Sequence, residues 1–370
     1  MKKQQHSLAR RRLLQVGGVG VGFAGIVGLN GASFAQLFQS SDIEVPDRVA
    51  HLYRPQELLG APHQLFASVD VSTLQLHLSQ LPERHENSIR SLTVAGVSID
   101  DISSVSGISS AYFSHPEGAG SAHITGDFDV DEIEAEIRSL DTVQQSETVG
   151  QNTTYRAATD EIAAELAISD SSLILGGTVG TDVDPTRAIR LLSEAKTGDA
   201  KRYYLDSSVG RALIDTVVDY PAIGGVESNR LAPLSEVGLE KTVQNEVLEN
   251  LQGIGMGSRP VDELLSTRTV LKYRSDSPPV SSVASLLEDA QNAYPSIEAG
   301  VSIQSVREDG SLVIVETEID PSQVSLPDEI DEDTLSQFLL QAPALTRDSR
   351  VWTEIQRYLS LFQPEEGISA

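Results

Sequence analysis

The sequence has no cysteine in 370 residues, which excludes disulfides, thiolate metal sites, a cysteine nucleophile and a lipid-anchored cysteine behind a signal. Positive charge is scarce: 27 Lys and Arg stand against 54 Asp and Glu, a formal net charge of −27. Past residue 12 no basic cluster remains to neutralise phosphates, so nucleic acid is excluded as a partner. Past residue 35 no apolar run approaches the roughly 20 residues that span a bilayer, so no stable membrane span is expected once the first residues are removed. The apolar share, 39%, is near that of globular proteins, and many short alternating segments accompany it. Such a chain buries a core and is not a disordered polymer.

The first 35 residues read as an address. Lys2, Lys3, Arg10, Arg11 and Arg12 make a positive start, Leu13 to Leu29 an apolar stretch, and Ser33 and Ala35 put small residues at −3 and −1. Cleavage is predicted between Ala35 and Gln36. The run Ala9-Arg10-Arg11-Arg12-Leu13-Leu14-Gln15 resembles the twin-arginine signal at Arg10, Arg11, Leu13 and Leu14, and departs from it at Ala9 and Gln15. Glycines 17, 18, 20, 22, 25 and 28 dilute the apolar stretch, which suits a signal better than a spanning helix. The resemblance implies the twin-arginine export machinery as a partner, passage in the folded state, and an extracellular or cell-surface location. The alternative is an uncleaved signal anchor.

Without residues 1 to 35, 22 basic residues face 54 carboxylates, and Lys196, Lys201, Lys241 and Lys272 are the lysines left. Self-repulsion on that scale opposes a compact state at low ionic strength, whereas in molar salt the screening length falls to about 3 Å. Carboxylates hold water and cations, while long lysine stems expose apolar surface. An acidic, lysine-poor chain behind a twin-arginine-type signal resembles exported, uncharacterised proteins of haloarchaea. That resemblance implies a brine solvent and no particular activity.

The remainder reads as α+β: two similar units of mainly antiparallel sheet with helices on one face, plus a C-terminal helical segment. Residues 36–60 are expected as a loosely held lead-in linker, 61–200 as a first unit, 201–326 as a second and 327–370 as C-terminal helices. In the first unit Leu65 to Val69 is strand-like, and Leu74, Leu78 and Leu81 recur at helical spacing behind Asp70 or Ser72 as cap. Ile108 to Phe113 and Ser121 to Phe128 read as strands. Asp129 or Asp131 opens a helix with Ile133, Ile137 and Leu140 apolar, and Ala163 to Ile168 with Leu173 to Leu175 forms a hairpin. The order returns from Arg202 onward, where Asp309-Gly310-Ser311-Leu312-Val313-Ile314 echoes Asp170-Ser171-Ser172-Leu173-Ile174-Leu175. Duplication of a unit of about 140 residues accounts for the echoes, against a single large α+β domain as the alternative.

Each candidate for chemistry has a plainer reading. Leu173 to Gly180 runs into a Gly-rich turn ahead of Asp184-Pro185, but lacks a Walker ending and dinucleotide spacing, so a strand-to-helix connection is expected. Gly253-Ile254-Gly255-Met256-Gly257 has no helix start behind it and reads as a strand closely approached by other backbone. Gly126-Asp127-Phe128-Asp129-Val130-Asp131 spaces carboxylates like a calcium loop, but Glu132 and Arg138 occupy the places of its Gly and Glu. Asp328, Glu329, Asp331, Glu332 and Asp333 form a solvated acidic turn. His51, His63, His77, His85, His115 and His123 show no metal spacing, and surface or half-buried positions are expected for them, with His115 and His123 on adjoining strands. No Gly-x-Ser-x-Gly elbow is present. Asn152-Thr153-Thr154 is a glycosylation sequon, making Asn152 a candidate in an exported chain.

No catalytic, cofactor or metal residue is therefore assigned. The expected function is a non-enzymatic binding or structural component outside the cytoplasmic membrane in high salt, with an unidentified extracellular partner or ligand. The alternatives are a secreted hydrolase using a carboxylate pair and a soluble-ligand carrier with an apolar cavity.

Overall fold

The computed structural model describes residues 47–75, 93–94, 97–112, 117–138, 143–146, 149, 152–158, 162–228, 247–248, 250–261, 264–293 and 300–320. The signal residues Arg10, Arg11, Leu13 and Leu14, the cleavage pair Ala35 and Gln36, and segment 327–370 lie outside them, as do His77, His85 and His115.

In chain order, strand β1 (His63–Asp70) runs into helix α1 (Val71–Gln75), followed by the small ladder of β2 (Thr93–Val94) and β3 (Val97–Ser98). Strands β4 (Ile102–Tyr112) and β5 (Glu117–Gly126) lead to helix α2 (Val130–Arg138). Strands β6 (Val143–Gln145), β7 (Thr153–Ala158), β8 (Ile162–Ser169) and β9 (Ser172–Val179) come next. Helices α3 (Pro185–Thr197), α4 (Tyr203–Asp206) and α5 (Ser208–Val217) precede β10 (Ala222–Ser228), β11 (Leu251–Val261) and β12 (Leu264–Tyr273). Helix α6 (Val280–Ala293) and strands β13 (Val301–Asp309) and β14 (Leu312–Ile319) end the described chain.

Two compact units emerge. Unit A holds Asp47–Ala61 and Asp70–Arg202, and unit B holds Pro62–Val69 and the described part of Tyr203–Ser349. Unit A orders its strands β4-β5-β9-β8-β7-β6, and unit B β1-β10-β11-β12-β14-β13, with every neighbouring pair antiparallel. Each unit contains a hairpin, a helix and a later hairpin whose last strand pairs with the second strand of the first: β9 on β5, and β14 on β12. Each first hairpin also carries a bulge at its open end, between Ile102 and Ser104 and between Leu251 and Gly253.

Local chemistry explains the elements. Asp70 caps α1 by accepting from the Thr73 amide at 3.0 Å, and Asp129 caps α2 by accepting from that of Glu132 at 3.1 Å. Helix α3 starts where Asp184 accepts from the Thr186 amide with Pro185 in the first turn, and ends at Gly198, whose φ of 89° lets its neighbours bond back to Glu194. Ser207 caps α5 by accepting from the Gly210 amide at 2.9 Å. In unit B, α5 and the residues after it rest on alternate glycines of β11: a Cβ at Gly253 would lie 2.9 Å from Val209 of α5 and from the Val226 carbonyl oxygen, at Gly255 3.1 Å from Leu213 of α5, and at Gly257 2.7 Å from Tyr220. The backbone approach expected of that glycine run is present at Gly253 and is joined by side chains from α5 and Tyr220.

The expected α+β arrangement, with helices on one face, is overturned. Among the described residues strand accounts for 51% and helix for 30%, so sheet dominates there and the helices are few. In unit A they do not share a face either. Arg138 of α2 lies over the Tyr155 ring at 5.8 Å, while Asp184 at the start of α3 pairs with Arg156 at 3.1 Å. Consecutive strand residues point to opposite faces, so α2 and α3 flank the sheet from both sides.

The described part of the stretch read as a loose lead-in, from Asp47 on, is packed. Val49, Leu52 and Tyr53 are fully buried, and the Arg54 amide donates to the Lys201 carbonyl at 2.9 Å. Residues 47–61 form a strap over unit A rather than a linker.

Candidate functional site

The feature of unit A that invites a functional reading is the polar sheet face beneath the strap and α3. Register places Ser104, Ser106, Ile108 and Ser110 of β4 opposite Thr125, His123, Ser121 and Ala119 of β5. One row continues from Ser121 through Gly176 of β9 and Glu165 of β8 to Arg156 of β7. Alternation of small hydroxyl residues in a strand ordinarily marks a solvent face. Here it is covered: Ser106, Ser110, Ser121, Thr154, Glu165 and Thr178 are all buried.

Three histidines expected at surface or half-buried positions, His51, His63 and His123, are buried as well. His51, in the strap, meets the Ser106 hydroxyl through Nε2 at 2.6 Å, and its ring is also bonded to the Asp47 backbone carbonyl. Ser106 donates onward to the His123 carbonyl at 3.4 Å. The rings of His51 and His123 meet edge-on with centroids 4.7 Å apart. Burial pushes His51 down to about 3, with His123 and Lys196 adding repulsion in that order, and pushes His123 down to about 4, with Lys196 adding to it. Burial alone lowers His63, in unit B, to about 4, where its Nδ1 meets the Ser228 hydroxyl at 2.7 Å. Tyr53, above the same face of unit A, is raised by burial, and the Ser121 hydroxyl works slightly the other way.

A serine bonded to an imidazole whose other nitrogen is oriented has the order of a nucleophile, a base and its support. The surroundings deny it that role. Ser106 is 3% exposed and His51 7%, so a substrate does not reach the hydroxyl, and an imidazole held this far below neutrality is a weak base. What the contact does is fasten the strap to β4. Changing Ser106 to Ala is expected to cost about 1–2 kcal/mol, the loss of one buried hydrogen-bond partner, read as a lower denaturant midpoint with unchanged slope.

Glu165 is the second focus, and among the described residues it is the one fully buried carboxylate. Its Oε2 accepts from the Thr186 hydroxyl and lies 3.9 Å from Arg156, and its Oε1 has no hydrogen-bond partner. Its neighbour through the shared Thr186 hydroxyl and Arg156 guanidinium is Asp184, an exposed carboxylate 3.0 Å from that hydroxyl and 3.1 Å from that guanidinium.

The other sequence candidates fall into place singly. Asp129 serves as a helix cap, and Leu173 to Gly180 forms β9 and its exit toward α3. Asn152 is half-buried in an isolated bridge to Val149, just ahead of β7. His123 sits on β5 as its strand assignment implies, but its neighbour is His51, which no spacing signalled because 72 positions separate the two. Among the described residues no group of three His, Asp or Glu is placed to hold a metal ion, and no helix is long and apolar enough to cross a membrane.

No protein-family model matches the sequence, and no curated protein matches it. Solved structures similar to it include three crystal forms of TP0453. Form III gives a TM-score of 0.43 at 10% identity, covering 76% of this chain and 96% of that one. Form IV gives 0.40 at 9%, covering 75% and 97%, and form I gives 0.40 at 13%, covering 76% and 95%.

Proposed function

We propose that the chain is an exported, non-enzymatic binding or structural component that works outside the cytoplasmic membrane in concentrated salt. The observation that carries this reading is the placement of its charge. The chain has a formal net charge of −27, and of the carboxylates whose side chains are described all but Glu165 keep contact with solvent. A coat of that kind suits a solvent rich in cations, and the twin-arginine-like start suits delivery of a folded chain to it. The Ser and His groups of unit A support the non-enzymatic half of the reading, since they are spent on fastening the strap.

The test is export from a host that has the twin-arginine route. The expected product in the cell-free fraction begins at Gln36, and changing both Arg10 and Arg11 to Lys leaves the precursor inside. Wild-type chain retained in the cytoplasm with residues 1 to 35 attached contradicts the reading, as does export of the double variant at the wild-type level.

A further inference from the structure

The strap is fastened to the rest of unit A at several points. Ser110 donates to the Leu59 carbonyl at 2.7 Å, Arg187 to the Glu57 carbonyl at 2.5 Å, and Lys201 pairs with the Glu57 carboxylate at 3.3 Å. The fastening at His51 differs in kind, since it runs through an imidazole. That imidazole meets Ser106 of β4, His123 of β5 and the strap's own Asp47 carbonyl, within the electrostatic reach of Lys196 of α3. The formal charge acting on both rings is that of Lys196, and it is positive.

We infer that His51 and His123 form an acid-released latch on the strap 47–61: protonation of either ring while the strap is closed puts a cation in a buried space against a second imidazole and Lys196, and opening the strap relieves it. Closed, both rings bind a proton less readily than a free imidazole, whose value is about 6.5. Stability of the closed strap is therefore complete above that value. It is lost as pH falls from there toward the closed-state values of about 4 and about 3. Between pH 7 and 5 ordinary carboxylates stay largely ionised, so this window separates the latch from general acid unfolding.

The test is amide hydrogen exchange on the full chain in molar salt, at pH 7 and 5, corrected for intrinsic exchange. Protection at Leu52, Arg54 and Leu58, whose amides bond inside the strap or to Lys201, is expected to fall roughly twentyfold for each histidine released. Strands β8 and β9 are expected to stay within about twofold. In the double variant H51Q/H123Q the fall disappears. If that variant does not fold, the wild-type ring resonances decide, because in the closed form both imidazoles are expected to remain neutral at pH 5. Strap protection independent of pH, a parallel fall in β8 and β9, an unchanged slope in H51Q/H123Q, or rings that titrate near 6.5 in the folded chain would each overturn the latch.

Discussion

Raising KCl from about 0.1 M to about 3 M is expected to lift the melting temperature by roughly 10–20 °C, the equivalent of about 5 kcal/mol at some 2–4 °C per kcal/mol. Charge balance sets the direction. Past residue 35 there are 22 cations for 54 carboxylates, so more than half of the carboxylates have no side-chain cation to pair with. The pairs that exist, such as Arg138 with Glu134 and Lys201 with Glu57, are partly exposed and individually worth at most about 1 kcal/mol. Salt weakens those few attractions and many more repulsions, and the repulsions win. Much of the gain should be present by about 1 M, where the screening length has already fallen to about 3 Å. Thermal melts followed by circular dichroism in a KCl series measure it. Equal midpoints in dilute buffer and in molar salt would remove the solvent argument on which the proposed function rests.

Strands and caps were legible in the residue pattern; coverage was not. Alternation located β8 and β9 around Ser169 to Ser172, and the caps at Asp70, Asp129 and Asp184 follow from side chains that accept amide hydrogen bonds one turn into the helix. The echo between residues 170–175 and 309–314 falls at the turns of two hairpins, but pairing sets Ser169 against Ser172 and Asp309 against Leu312. Ser172 thus corresponds to Leu312, one place away from the match of letters, which read Leu173 against Leu312. In a strand one place exchanges the two faces, so letters alone assign the burial of that hairpin to the wrong side.

The candidate site was hidden for a related reason. Ser104, Ser106 and Ser110 have the pattern of a wetted strand face, and whether such a face is wet depends on what lies over it. Here the cover is a strap with little periodicity of its own and a helix 75 or more residues away along the chain. The pairing of His51 with His123 carries no local signal, because His123 lies on β5, beyond the reach of any spacing in the sequence. Tyr203 to Asp206 forms one helical turn ahead of α5, too short a run for any periodicity to mark.

Changing Gly176 to Val is expected to destabilise unit A by about 3 kcal/mol or more and to lower its melting temperature by roughly 10 °C. Gly176 lies on β9 under the first turn of α3, where an added Cβ would sit 2.3 Å from the Pro185 carbonyl oxygen and 3.1 Å from Ile189. The nearer atom is backbone, held in place because Asp184 caps the helix and Pro185 fixes its first turn. A side chain at 176 therefore lifts α3 rather than rotating a neighbour aside. Lifting α3 uncovers Ala188, Ile189, Leu191, Leu192 and Ala195, all buried, and breaks the Thr186 hydrogen bond that satisfies one oxygen of Glu165. Apolar exposure and a buried carboxylate left with Arg156 at 3.9 Å act in the same direction. Gly60 supplies the control, since a Cβ there would meet nothing within 4 Å. Gly60→Ala is expected to stay within about 0.5 kcal/mol of the parent or to stabilise it slightly by restricting the unfolded chain. Denaturant melts of both variants in molar salt decide the matter. If Gly176→Val and Gly60→Ala shift the midpoint equally, the close seat of α3 on β9 does not hold unit A together.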